Sequence, residues 1–219
     1  MSYICFENVS KCFNKNVVID SAAFGIEKGE VCGFVGRNGS GKTVIFKLMT
    51  GLLMPDSGSI TIDGVNYSEK GRFFPSAGVM IETPGFIPHY SGLKNLRLLN
   101  SMSSNPVPKD EICRLMERLG LDPKNHHPTR TYSLGMRQKL GIIQAVMNKP
   151  ELLVLDEPMN SLDAESAREV RALISELNEG GTTIVLASHI SEDIETLCTR
   201  IFSIENTHVS ELNRKGAAV

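Results

Sequence analysis

No paired cysteine pattern runs through this sequence. Its five cysteines, Cys5, Cys12, Cys32, Cys113 and Cys198, are odd in number, scattered and without a CxxC. That argues against a disulfide framework or a cysteine-built metal site, and for buried, reduced thiols. No stretch of about 18 apolar residues occurs, so no segment reads as a membrane-spanning helix. The N-terminal MSYICFENVSKCF lacks the apolar run and cleavage pattern of a signal peptide. A charge excess is missing too: 23 Lys and Arg stand against 25 Asp and Glu, a net charge of −2. No global basic field therefore points to nucleic acid. Neither internal repeat nor low-complexity segment nor Gly/Ser linker divides the 219 residues. The length suits one domain, or one domain with a subdomain, with enough chain to bury a core.

What is present is an alternation of short apolar runs and amphipathic stretches. Val31 to Val35 (VCGFV) reads as a strand that runs into the glycine-rich turn GRNGSGKT, and TVIFKLMTGL after it reads as a helix ended by Gly51. SGSITIDGVNY predicts a hairpin turning at Asp63-Gly64. Ala77 to Ile81 (AGVMI) predicts a buried strand. From Leu93 to Leu119 the pattern is helical, with Ile112, Leu115, Met116 and Leu119 on one face and Gly120 as C-cap. A further helix runs from Ser133 towards Asn148, with Arg137, Gln138 and Lys139 on its surface. Leu152 to Leu155 (LLVL) and Thr182 to Ala187 (TTIVLA) are apolar strands flanking an amphipathic helix over 163–178. Strands of this kind alternating with helices predict a parallel sheet covered on both faces. The stretch from about 83 to 148 lacks strands and reads as a helical insertion.

Gly36 to Thr43 matches G-x-x-x-x-G-K-[ST] between a predicted strand and a predicted helix. Gly36, Gly39 and Gly41 let backbone amides turn inward around a phosphate chain, and the helix start adds its positive end. Lys42 is placed to neutralise the β- and γ-phosphates, and Thr43 to offer its hydroxyl to Mg²⁺. Arg37, Asn38, Ser40 and Val44 complete the candidate nucleotide-binding stretch. The apolar strand LLVL delivers Asp156 and Glu157 to its C-terminal end, where ligands bind in open α/β sheets. Asp156 there can hold Mg²⁺ through water, and Glu157 can orient or deprotonate an attacking water. His189 follows the end of another strand of the same sheet, within reach of the γ-phosphate region.

The order GRNGSGKT, SLGMRQ, LLVLDEP, SLD, SH resembles the nucleotide-binding subunit of ABC transporters, over essentially the whole chain. The resemblance implies a RecA-like P-loop NTPase of α/β class: a parallel-sheet core, an antiparallel β part near the N-terminus and an inserted α-helical subdomain. It implies a single domain, with residues 1–82 and 149–219 as nucleotide-binding core and 83–148 as the helical subdomain carrying the signature. The substrate and cofactor implied are ATP and Mg²⁺. Glycine at 135, in the first turn of a helix, weakens that helix, and its reason would be a close approach to its backbone. In the family two cassettes pair head to tail. The resemblance therefore implies that the signature residues Ser133, Leu134, Gly135 and Met136 cap an ATP held by a second chain. Ser161, Leu162 and Asp163 resemble the loop that crosses the dimer interface, and Ser161 or Asp163 would equally serve as a helix N-cap.

Two departures stand out. The signature has Tyr132, Leu134 and Met136 where the common form has leucine, glycine and glutamine. Glu82 stands after strand AGVMI where the family usually has a glutamine near Mg²⁺; a glutamate still offers oxygen to the ion. Both features look like bacteriocin- and antibiotic-type export or immunity cassettes. Phe13 lies where the family stacks an aromatic on adenine, and an aromatic there serves equally as core. His126-His127 reads as surface, and Met49 and Met54 as core filler. The function implied is ATP hydrolysis that powers transport through a separate membrane permease, on the cytoplasmic face of the membrane. The helical segment would dock that permease, with Thr83 to Tyr90 at the edge of the surface. A soluble cassette of DNA repair or translation fits less well, because there is no coiled-coil insertion, second cassette or basic excess. A metabolite kinase is opposed by the signature and His189.

Overall fold

The computed structural model describes residues 2–69, 72–82 and 84–212. Thr83, the start of the expected docking edge, and residues 213–219 of the expected core lie outside them, as does Met1. Two sheets organise the described chain. β1 (Ile4–Phe13) and β2 (Asn16–Ile26) form a long hairpin that joins β4 (Ser57–Ile62) and β5 (Val65–Asn66) in an antiparallel sheet of order β2-β1-β4-β5. Both hairpins turn on two residues with left-handed backbone: Asn14 and Lys15 at φ 48° and 70°, and Asp63 and Gly64 at 50° and 74°. Such turns match the twist of the strands they connect.

The second sheet contains β3 (Val31–Val35), β6 (Ala77–Met80), β7 (Leu152–Asp156), β8 (Thr183–Ala187), β9 (Arg200–Glu205) and β10 (His208–Leu212), in the order β10-β9-β3-β8-β7-β6. All neighbours pair parallel except β10 with β9. The apolar runs are buried on both faces because successive side chains enter different cores. Leu153 and Leu155 of β7 join one cluster, and Leu152 and Val154 the other. The second cluster is built around Phe34, Phe46 and Phe202 and lies under α1 (Lys42–Met49) and the antiparallel sheet. The first holds the inward faces of α4 (Leu134–Val146) and α5 (Ala164–Glu179). Met49 is fully buried, as expected of core filler.

Between β6 and β7 the chain is helical, as expected, but the long periodic stretch is not one helix. It divides into α2 (Gly92–Ser101) and α3 (Lys109–Arg118). Pro106 and Pro108 cannot continue a helix, and Asn100 seals the break: its side chain bonds both the N–H and the C=O of Val107 at 2.9 Å. Gly120 does end α3, with φ +71° and its N–H bonded to Glu117. The short α6 (Ser191–Leu197), β9 and β10 had no expectation attached. Of the cysteines only Cys32 and Cys198 are buried, and Cys12 is exposed. Burial, aided by the negative charge of Glu30, pushes the Cys32 thiol up to about 12, which makes it an inert core residue.

Candidate functional site

The register of the parallel sheet decides where the reactive residues meet. Ala187 is level with Phe34 on one side and with Asp156 on the other, and Met80 is level with Leu155. The chain segments leaving β3, β6, β7 and β8 therefore emerge along one edge: the glycine-rich loop, Glu82, Glu157 and His189. A cavity of about 490 Å³ opens there, lined by Lys42, Thr43, Glu82, Asp156 and Glu157 from this edge and by Leu134, Gln138 and Ser161 from the far side.

The glycine-rich loop curls over the end of β3. Lys42 folds back onto it, Nζ donating to the carbonyls of Gly36 at 2.7 Å and Arg37 at 3.2 Å. Gly39 has φ +80° and open space where a side chain would stand. Among the described residues only Tyr3 and Ser40 have a buried side-chain oxygen without a hydrogen-bond partner. An orphaned buried hydroxyl inside a cradle of this kind suits an anion that supplies the missing partner. Thr43 Oγ1 donates to Asp156 Oδ2 at 2.7 Å. A hydroxyl and a carboxylate in contact form a hard-oxygen pair suited to Mg²⁺, which takes one or two carboxylates and completes its shell with phosphate and water. Among the described residues no group of three or more His, Cys, Asp or Glu could hold a metal by itself.

Glu157 is pinned at several points. Its N–H donates to Ala187 O at 2.9 Å, and its Oε2 lies 2.8 Å from His189 Nδ1 and accepts from the His189 N–H at 3.3 Å. Its φ is +52°, a left-handed conformation costly for a non-glycine residue. Glu82 and Ser161, which line the same cavity, share it at +61° and +66°. The loop bearing His189 rests on an ion network that sequence reading missed. Arg171 Nε binds the fully buried Asp193 at 2.7 Å, and Ser188 Oγ donates to the other oxygen of Asp193 at 2.6 Å. Nothing in the local sequence marks Asp193, since its partner comes from α5.

Glu82 is drawn to Lys47, Oε1 to Nζ 2.6 Å. Lys47 is one helical turn beyond Thr43, and that i, i+4 spacing is the signal that could have found it. Ser133 caps α4, its Oγ accepting from Met136 N at 3.1 Å, and Asp163 caps α5 through Ser166 N at 2.8 Å. Those amide and hydroxyl bonds from Ser166 hold the Asp163 carboxyl below its ordinary range. Ser161 and Leu134 are exposed and Leu162 is half-buried, while Met136 packs partly on the core. Within the chain, the close neighbour of Gly135 is the Ser161 carbonyl: a Cβ at 135 would lie 2.8 Å from that oxygen. Phe13 ends β1 and is 43% exposed, so it is not core; Val18 of β2 lines the cavity and Phe13 does not. Gln138, expected on the helix surface, is half-buried, with Nε2 donating to Glu157 O at 2.9 Å and Pro158 O at 3.0 Å.

Comparison with known proteins agrees with this geometry. The model of a family described as "ABC transporter" matches residues 19–160. The bacitracin transport ATP-binding protein BcrA of Enterococcus faecalis is 36% identical over 217 residues, covering 95% of this chain and 70% of its own. The lantibiotic transport ATP-binding protein SrtF of Streptococcus pyogenes is 35% identical over 191 residues, covering 87% and 82%. Among solved structures, a dimeric ATP-binding cassette in a post-hydrolysis state bound to ADP and Pi superposes with a TM-score of 0.84 at 20% identity, covering 96% of this chain and 99% of its own. At that identity the likeness speaks for the fold.

Proposed function

The chain belongs to the ABC transporter family as an ATP-binding, ATP-hydrolysing subunit that powers transport, and on that premise we propose how its residues divide the work. The amides of Gly36–Thr43 and the Lys42 ammonium hold the β- and γ-phosphates, Lys42 exchanging its present carbonyl partners for phosphate oxygens. Thr43 and Asp156, with Glu82 nearby, would hold Mg²⁺, whose charge neutralises the phosphates. Glu157 orients the attacking water and takes its proton, while His189 fixes the Glu157 carboxylate from the other side. Ser133 to Met136, at the N-terminus of α4, cap the ATP of a second cassette, and the exposed Ser161–Asp163 loop crosses that interface.

One observation carries this reading: the glycine loop with its orphaned Ser40 hydroxyl, the Thr43–Asp156 pair and the Glu157–His189 pair converge on one edge of one parallel sheet. Among the described residues no helix is long and apolar enough to cross a membrane. In this reading the subunit works at the cytoplasmic face through a separate permease, docked on the helical segment between Glu82 and the signature. The divisions at 82/83 and 148/149 follow the same reading. The names of the relatives support peptide antibiotics as the transported class, with the chain acting in export or immunity. The test is Lys42→Ala. Its affinity for ATP by calorimetry should fall at least about tenfold, the loss of one charge-assisted contact, with the circular dichroism spectrum unchanged. Wild-type affinity would remove the loop from the site.

A further inference from the structure

The reading of Glu157 as the residue that orients the attacking water leaves a question: what holds its backbone in a left-handed conformation? Its N–H is tied to β8, through Ala187. Its C=O faces the other way, towards α4, where one amide group meets two consecutive carbonyls. Gln138 Nε2 donates to Glu157 O at 2.9 Å and to Pro158 O at 3.0 Å. Glu157 O also accepts from the Asn160 N–H at 3.2 Å, which closes a local turn, and Pro158 has no N–H of its own to give. A backbone in a sparsely populated region persists only where its surroundings over-determine it. Here the surroundings are β8 on one side and, on the other, the Asn160 N–H together with the Gln138 side-chain amide, which alone spans both carbonyls from a different element.

The same helix turn touches the loop a second time. Gly135, three residues before Gln138 and so on the same face of α4, lies against the Ser161 carbonyl with no room for a Cβ. The loop from Glu157 to Ser161 is thus gripped at both ends by the first turns of one helix. Gly135 admits the backbone at one end, and Gln138 supplies the donors at the other.

We propose that Gln138 is a positioning residue for Glu157. Its amide, bonded to the carbonyls of Glu157 and Pro158, sets the orientation in which the Glu157 carboxylate meets the attacking water, and ties that orientation to the placement of the signature helix. Gln138 acts through Glu157 and touches no reacting atom. Any movement of α4 relative to the sheet changes the pull on these two carbonyls. A helix whose N-terminus faces a partner's nucleotide therefore bears directly on the acid of its own chain.

The experiment uses the full chain and four substitutions. Gln138→Leu keeps comparable bulk and removes both N–H donors. Its kcat should fall by about a hundredfold, the scale of a small misplacement of a reacting group. KM should hold, as should the calorimetric affinity for Mg-free ATP, because the phosphate loop is untouched. In a Glu157→Gln background, with hydrolysis followed by single turnover, adding Gln138→Leu should slow the reaction by less than about twofold, since residues acting through one another are not additive. Gln138→Lys, which returns a long donor to the same carbonyls, should stay within about tenfold of wild type. If Gln138→Leu does not fold, Gln138→Glu, of the same shape and without amide donors, carries the same comparison. Unchanged kcat would overturn the proposal. So would a full hundredfold loss repeated on the Glu157→Gln background, or a fall in ATP affinity that accounts for the lost activity. If Glu157→Gln alone hydrolyses ATP at the wild-type rate, the premise about Glu157 has failed and the role of Gln138 falls with it.

Discussion

Glu157 and His189, on neighbouring strand ends and 32 residues apart, meet through Oε2 and Nδ1 at 2.8 Å. The carboxylate is only partly exposed and the imidazole mostly so, at 21% and 66%. On the proposed reading, a carboxylate held in this way orients a water on its open side and takes its proton. Glu157→Gln should therefore bind ATP and hydrolyse it roughly a hundred- to ten-thousand-fold more slowly, the usual weight of a general base. With its nucleotide retained, the variant should also accumulate as an ATP-stabilised dimer, visible by size-exclusion chromatography with light scattering. Wild-type turnover would exclude Glu157 as the base.

Glu82→Gln should keep its hydrolytic activity, because an amide oxygen would replace the carboxylate oxygen beside the proposed Mg²⁺ site. It also breaks the ion pair with Lys47, whose partners are 32% and 62% exposed. Solvent screens such a pair, so the loss of stability in urea should be no more than about 1 kcal/mol. Complete loss of ATPase activity in a folded variant would show that the negative charge itself is required.

Gly135→Ala should be destabilising although alanine favours helices. The new Cβ would stand 2.8 Å from the Ser161 carbonyl, a backbone atom that cannot rotate away. Overpacking of this kind costs about 1–3 kcal/mol, against a helix gain of about 1 kcal/mol at most. Urea unfolding of the nucleotide-free chain measures the balance, and a variant more stable than wild type would refute the contact. Gly135→Asp should in addition block ATP-dependent dimerisation while sparing the ATP affinity of the single chain.

Asp163 should make stability sensitive to acid. Its carboxyl is held below the ordinary range by the Ser166 amide and hydroxyl, so the folded state favours the ionised form. A lowered folded pKa contributes stability above the unfolded value of about 3.9, and that contribution disappears as pH falls through the folded pKa. Asp163→Ala should therefore be less stable than wild type at pH 7, and the difference should close in strong acid. Urea titrations at the two pH values test this; an equal difference at both would mean that the cap does not depend on charge.

Much of this molecule follows from local rules. The glycine loop between VCGFV and its helix, the Asp63-Gly64 turn, the helix starting at Ser133, the cap candidate Asp163 and the buried strands LLVL and TIVLA are read from neighbours in sequence, because turn geometry, capping and periodicity act over a few residues. Asp156, Glu157 and His189 were legible as strand-end residues for the same reason. Their meeting was not. It depends on strand order and register, which place β8 between β3 and β7 and level Ala187 with Asp156. The single stretch over 93–119 is two helices, with Asn100 bonded to Val107, which lies between two prolines. Lys47, Asp193 and Gln138 each have a partner far off in the sequence: Glu82, Arg171 and the Glu157 carbonyl. Sequence alone determined which chemical groups are present and on which kind of element. Tertiary structure decided which of them touch, because hydrogen bonds and ion pairs act over a few ångströms and depend on proximity in space, however far apart their partners lie along the chain.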